Sequence, residues 1–178
     1  MQKNSIYKKA PKERIPHKIK YTDIEARLGA PWISKRIIED FIHYIITGQE
    51  VKNSAICFVE YDDVTANWNI PDKNGYRFSN NLRITMEYGT VLCNALKIIE
   101  ASLNLRTLKV YEYGEPSEIE TTLALEKQRK INEEFKKWIW QSEDRIWEVE
   151  EAYNNSFGEF EKTEYDGSTL EFPELAEG

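Results

Sequence analysis

The sequence predicts an α+β domain in which a small, mostly antiparallel sheet packs against helices and a long helical region closes the chain. Residues 37–45 and 92–103 repeat apolar side chains at helical spacing, whereas residues 55–61 and 65–70 read as strands. The two kinds of segment do not alternate as regular strand–helix–strand units, which leaves an α+β arrangement. A heptad-like stripe of Ile131, Phe135, Trp138, Ser142, Ile146, Val149 and Tyr153 gives the C-terminal helical region.

Residues 1–22 read as a basic extended arm. Lys3, Lys8, Lys9, Lys12, Arg14, Lys18 and Lys20 face a single acid, Glu13, and Pro11 and Pro16 break any helix. Ser34 is a helix N-cap, with Ile33 and Ile38 spaced as a hydrophobic staple. Ile37, Ile38, Phe41, Ile42 and Ile45 form its core stripe, and Gly48 stands where a terminating glycine belongs. Residues 55–61 read as a buried strand, Asp62-Asp63 as a turn, and 65–70 as the returning strand with Ala66, Trp68 and Ile70 on one face. Pro71, Asn74 and Gly75 interrupt the pattern, and Leu82, Ile84 and Met86 alternate as a third strand. Thr90 caps a helix through Leu92, Ala95, Leu96, Ile99 and Leu103, and Leu108 with Val110 gives another short strand, ended by Gly114 and Pro116. Ser117 and Glu120 form a capping box for the last helical region. Ser142-Glu143-Asp144 offers a second N-cap there, so one kinked helix and two helices both fit. Residues 158–178 read as an acidic tail or linker toward a following domain, with a turn at Asp166-Gly167.

At 178 residues the chain suits one α+β domain, residues 23–157, between arm and tail. A hydrophobic content of 40% with 12% aromatic is enough to build a core. The net charge of -7 argues against a protein that simply coats nucleic acid, while leaving room for a local basic face. Cys57 and Cys93 have apolar neighbours and read as buried reduced thiols. No apolar run approaches the ~20 residues of a membrane span. No apolar stretch follows the N-terminal charges, as a signal peptide requires. The expectation is a cytoplasmic protein with no membrane partner.

Catalytic patterns are missing. No glycine precedes a Lys-Ser/Thr pair as in a phosphate loop, and there is no Asp/Asn-Pro-Pro-aromatic tetrad of the adenine methylases. His17 and His43 have no Cys or carboxylate at ligand spacing. Glu60, Asp62 and Lys109 could compose a metal-dependent nuclease centre, but Asp62-Asp63 reads first as a solvated turn. No catalytic residue, metal or cofactor is therefore expected. The positive charge says more. Arg27, Lys35 and Arg36 crowd the start of the first helix, whose N-terminus favours phosphate. Trp32 and Trp68 offer base-stacking faces, with core packing as the alternative. Trp140 and Trp147 are seven residues apart and share a helix face that is not the core stripe. They mark either a second wall of the domain's own core or an interaction surface for a missing neighbour.

Several segments recur in order: Asp23-Ile24 with Leu28-Gly29-Ala30-Pro31-Trp32-Ile33, Ala66-Asn67-Trp68, Tyr88-Gly89-Thr90, Asn94-Ala95-Leu96 and Ser102-Leu103-Asn104-Leu105-Arg106. Glu120-Thr121, Lys127-Gln128, Phe135 with Trp138, Asp144-Arg145, Tyr153-Asn154 and Tyr165-Asp166-Gly167-Ser168 follow. Together, over residues 23–173, they resemble the region just before the helicase motor in large proteins of bacteriophages and conjugative elements. Those proteins join an adenine-specific DNA methylase to a Swi/Snf-like superfamily-two helicase. The resemblance implies a non-catalytic helicase-associated module that positions or binds DNA, with the methylase and helicase domains of the same polypeptide as partners. Arg27, Lys35, Arg36 and Arg106 are then the expected phosphate contacts. The rival expectation is a protein-interaction spacer that docks methylase to motor without touching DNA.

Overall fold

Helix α1 (Lys35–Thr47) forms where its local signals place it. The Ser34 hydroxyl accepts from the Ile37 N–H, and Gly48, at φ 74°, donates its N–H to the Tyr44 carbonyl to close the far end. Phe41, Ile42 and Ile45 on its inner face are fully buried, each worth roughly 1.5–3 kcal/mol. The structure, a computed structural model, describes residues 18–157. Residues 1–17 of the expected arm and all of the expected tail, 158–178, lie outside them.

Helix α2 (Ala95–Leu103) starts later than expected. Asn94, not Thr90, is its cap, accepting from the Lys97 N–H at 3.0 Å. Thr90 instead accepts from the Cys93 N–H at 3.1 Å and closes a tight turn just before the helix. Both residue types cap well, and packing chooses between them, because Ala95, Leu96, Ile98, Ile99 and Leu103 are the residues that bury. Ser117 caps α3 (Glu118–Trp138), accepting from the Glu120 N–H at 3.4 Å, but the return half of the expected capping box does not form, because the Ser117 N–H donates to the Val110 carbonyl at 2.9 Å. The chain then breaks at residues 139–142 before α4 (Glu143–Phe157), so the C-terminal region is two helices.

The β structure is antiparallel throughout, as two separate hairpins. Strand β1 (Glu60–Asp62) pairs with β2 (Asn67–Asn69), setting Tyr61 opposite Trp68 with ring centroids 4.7 Å apart. Strand β3 (Tyr111–Glu112) pairs with β4 (Glu115–Pro116) across Tyr113 and Gly114, both left-handed at φ 50° and 87°, as a type I′ turn demands. The expected buried strand over 55–61 contracts to β1. Cys57 and Val59 are buried, but the Val59 N–H goes to Glu39 Oε1 at 3.0 Å rather than to a neighbouring strand.

The expected third strand at Leu82, Ile84 and Met86 is instead a π-helical turn, Arg83–Glu87. Asn81 Oδ1 accepts from the N–H groups of both Arg83 (3.0 Å) and Ile84 (3.1 Å), which commits the backbone to a turn. The turn also closes α1. Arg83 Nε donates to the Ile45 carbonyl at 2.9 Å and Asn81 Nδ2 to the Ile46 carbonyl at 3.0 Å, satisfying two of its terminal acceptors.

The core lies between α1, α2 and α3. Ile131, Phe135, Trp138 and Val149 are fully buried as expected, but Ile146 is only half-buried. Helix α4 turns Arg145 inward in its place, a rotation of about 100°. The described end of the arm lies along α4: Asn154 exchanges hydrogen bonds with both backbone groups of Ile19 (2.8 and 2.9 Å), and the Tyr21 N–H donates to Glu150.

Candidate nucleic-acid interface

A close backbone approach builds the site. Gly29 is left-handed, at φ 85°, and a Cβ there would overlap the Leu103 carbonyl oxygen and lie 3.1 Å from that of Ser102. Only glycine lets the segment carrying Arg27 and Leu28 press onto the C-terminal end of α2. That end is a Schellman motif, with Leu105 N–H bonded to the Ser102 carbonyl at 3.1 Å and Arg106 N–H to that of Ala101 at 2.8 Å. Leu105 occupies the position that glycine usually takes and is held at φ 53°, a conformation costing a leucine about 1–2 kcal/mol.

Helix α3 is the third wall. Gln128 Nε2 donates to Ser102 Oγ (3.2 Å) and to the Arg106 carbonyl (3.3 Å), fixing α3 against the α2 exit. Arg129, Asn132, Glu133 and Lys136 then share one helix face at i, i+3, i+4 and i+7. The result is a groove of about 370 Å³ lined by Arg27, Arg106, Arg129 and Lys136, with Leu28 and Leu105 as apolar wall. Glu25 and Glu133 also face it, so cations outnumber carboxylates four to two in a protein of net charge -7.

Of the seven described arginines, four are engaged with acids. Among the described residues, Arg27, Arg106 and Arg129 have no salt-bridge partner. Arg106 donates only to the neutral Asn67 amide, at 2.6 Å, and Lys136 reaches Glu133 at 3.6 Å. Unpaired guanidinium groups offer several donors in a planar fork that matches phosphate.

The other expected phosphate contacts do not line this groove. Arg36 donates to Glu148 of α4 and to Asn53 (3.1 Å), and Ser34 Oγ donates to Glu148 at 3.1 Å. Glu148 thus supplies internally the anion that the N-terminus of α1 favours. Lys35 reaches Glu39 at 3.9 Å on its own helix. Arg36 lines a second cavity of about 600 Å³, where its pair and the pairs Lys52–Asp144 and Arg145–Glu50 tie α1 and the following loop to α4. The aromatic expectations separate as well. Trp140 is half-buried with Tyr21 at 5.7 Å, whereas Trp147 is 68% exposed and lines a smaller cavity that shares Arg36, Lys52, Asp144 and Glu148 with the second one. Trp32 packs edge-on against Tyr153 at 5.1 Å.

Sequence reasoning named Arg27 and Arg106 and missed Arg129 and Lys136. Their signal was their shared helix face, opposite the stripe of Ile131, Phe135 and Trp138. It also missed His43 Nδ1 lying 3.1 Å from Ser54 Oγ. That serine is buried, its Oγ accepts from the Ile56 N–H, and Asp40 binds the Ser54 and Asn53 N–H groups rather than the histidine. The cluster is a turn clamp. Asp62 likewise holds its own turn: the Thr65 hydroxyl and the Val64 N–H keep its carboxyl below the usual range. Among the described residues, no group of three or more His, Cys, Asp and Glu could hold a metal ion, and no helix is long and apolar enough to cross a membrane. Burial pushes the Cys57 thiol up to about 12, and that of Cys93 upward too. Both should stay silent to a thiol reagent at mildly alkaline pH until the protein unfolds; a fast-reacting thiol in the native protein would contradict this.

No curated protein and no solved structure matches the chain. A family model does match, over residues 27–159, from the first arginine of the groove to just past α4. The chain belongs to the family described as Domain of unknown function (DUF8437).

Proposed function

We propose that the protein is a non-catalytic, helicase-associated module of a DNA methylase–helicase, and that it holds DNA by its phosphates in the groove of Arg27, Arg106, Arg129 and Lys136. The methylase and helicase domains of the same polypeptide are its partners, in the cytoplasm. One observation carries the DNA contact. Three arginines without acidic partners among the described residues converge from three separate chain segments into one concavity. The ordered resemblance of residues 23–173 supplies the setting.

The test is binding of labelled DNA by anisotropy across a salt series. Affinity should fall steeply with salt, and Arg129→Gln should reduce the slope of log K against log salt by about 1 for duplex or somewhat less for single strands. Lys35→Gln, outside the groove, should leave the slope unchanged. No binding to any DNA at low salt would defeat the reading. It would favour a spacer that docks methylase to motor, for which the 68% exposed Trp147 beside Arg36 and Lys52 is the supporting observation.

A further inference from the structure

Given the groove as a nucleic-acid site, on which all of this rests, we infer that it takes a single strand rather than the outside of a duplex. The phosphates lie on the arginines and a base face lies against Leu105.

Leu105 carries two local burdens at once. Its backbone is left-handed at a position where glycine would be unstrained, and its side chain is 64% exposed at the wall of the groove. Strain of this kind concentrates at ligand clamps. A phosphate gives an exposed leucine nothing to pack against, whereas the face of a base does. A duplex keeps its bases stacked inside and meets a protein convex side first. To put a base beside a residue in a concave wall, the strand must enter the groove, which only an unpaired nucleotide can do.

The remaining lining suits the same ligand. The Asn132 side chain makes no hydrogen bond among the described residues, which leaves its amide free to read a base edge. Glu25 and Glu133 would repel the second phosphate strand of a duplex, yet they can accept from an exposed base amino group. Guanidinium planes such as those of Arg27 and Arg129 also stack on unpaired bases.

A short labelled oligonucleotide, alone and annealed to its complement, separates the alternatives with the full chain at low salt. The single strand should bind roughly tenfold tighter or more. Leu105→Gly should raise the melting temperature, because it relieves the left-handed strain, while weakening single-strand binding about fivefold without changing the salt slope. Arg129→Gln should weaken it with a slope lower by about 0.7. Duplex binding as tight as single-strand binding, or an unchanged single-strand affinity in Leu105→Gly, would overturn the single-strand assignment and leave the DNA groove standing. Absence of binding to either form would overturn both.

Discussion

Gly29→Ala should destabilise the protein by about 3 kcal/mol or more, a large share of the 5–15 kcal/mol a domain has. Two costs add. The residue sits at φ 85°, which an alanine adopts at about 1–2 kcal/mol. Its new Cβ would also overlap the Leu103 carbonyl oxygen, backbone that cannot swing aside, for a further 1–3 kcal/mol typical of overpacking, by order of magnitude about the same again. Gly114→Ala is the control. It is left-handed too, at φ 87°, but a Cβ there meets nothing within 4 Å, so it should cost only the strain. Urea titration of the two variants measures the difference. Equal losses would mean that conformational strain alone, and no close approach, keeps glycine at position 29. In whatever fraction of Gly29→Ala still folds, Arg27 should be displaced from Arg106, and DNA affinity should fall with stability.

Local signals were legible wherever they decide the structure. The Ser34 cap, the isoleucine stripe and Gly48 specify α1 without help from the rest of the chain, and the Ser117 hydroxyl marks the start of α3. Residues 82–86 were not legible, because their alternation imitates a strand while Arg83 and Asn81 answer to carbonyls of α1 distant in sequence. Ile84 alone of the three apolar residues is buried, which a strand with one inner face would not give. The site divides the same way. Arg27 stands out as a cation near the start of α1 and Arg106 through the segment that carries the resemblance, but Arg36 looks equally available from sequence, and Glu148, 112 residues away, holds it. Arg129 and Lys136 become site residues only once the faces of α3 are assigned. Many polar residues in the recurring segments prove to hold backbone. Asn104 clamps both backbone groups of Trp68 (2.8 and 2.9 Å), and Lys127 donates to the Met86 and Glu87 carbonyls that end the π-helical turn.

Arg145→Met should lower stability by about 2–4 kcal/mol, from a buried carbonyl left without a donor (about 1–3 kcal/mol) and the lost contact of the guanidinium with Trp138 (about 1 kcal/mol). Arg145 is 8% exposed and fills the angle between α3 and α4. Its guanidinium lies 3.6 Å from the Trp138 ring centroid and donates to the Trp138 carbonyl, to the Ile139 carbonyl at 3.1 Å and to Glu50 at 3.1 Å. The Ile139 carbonyl, at the C-cap of α3, has no other donor among the described residues, and that of Trp138 otherwise takes only the Gln141 N–H at 3.1 Å, so the side chain acts chiefly as a cap delivered from the next helix. The same group covers one side of Trp138, whose indole N–H is buried without a partner among the described residues and whose ring also packs against Phe41, Tyr44 and Phe135. The ion pair with Glu50 matters less, because that carboxylate side chain is 49% exposed and water competes for it. The expected order of loss is therefore Arg145→Met first, then Arg145→Lys, which keeps the charge but not the fork, and Glu50→Gln last at about 1 kcal/mol or below. Denaturant midpoints of the three variants at a common m-value give the order. If Glu50→Gln costs as much as Arg145→Met, the salt bridge and not the capping of α3 joins the two C-terminal helices. If Arg145→Lys is as stable as the parent, a point charge suffices there and the planar contact with Trp138 contributes little.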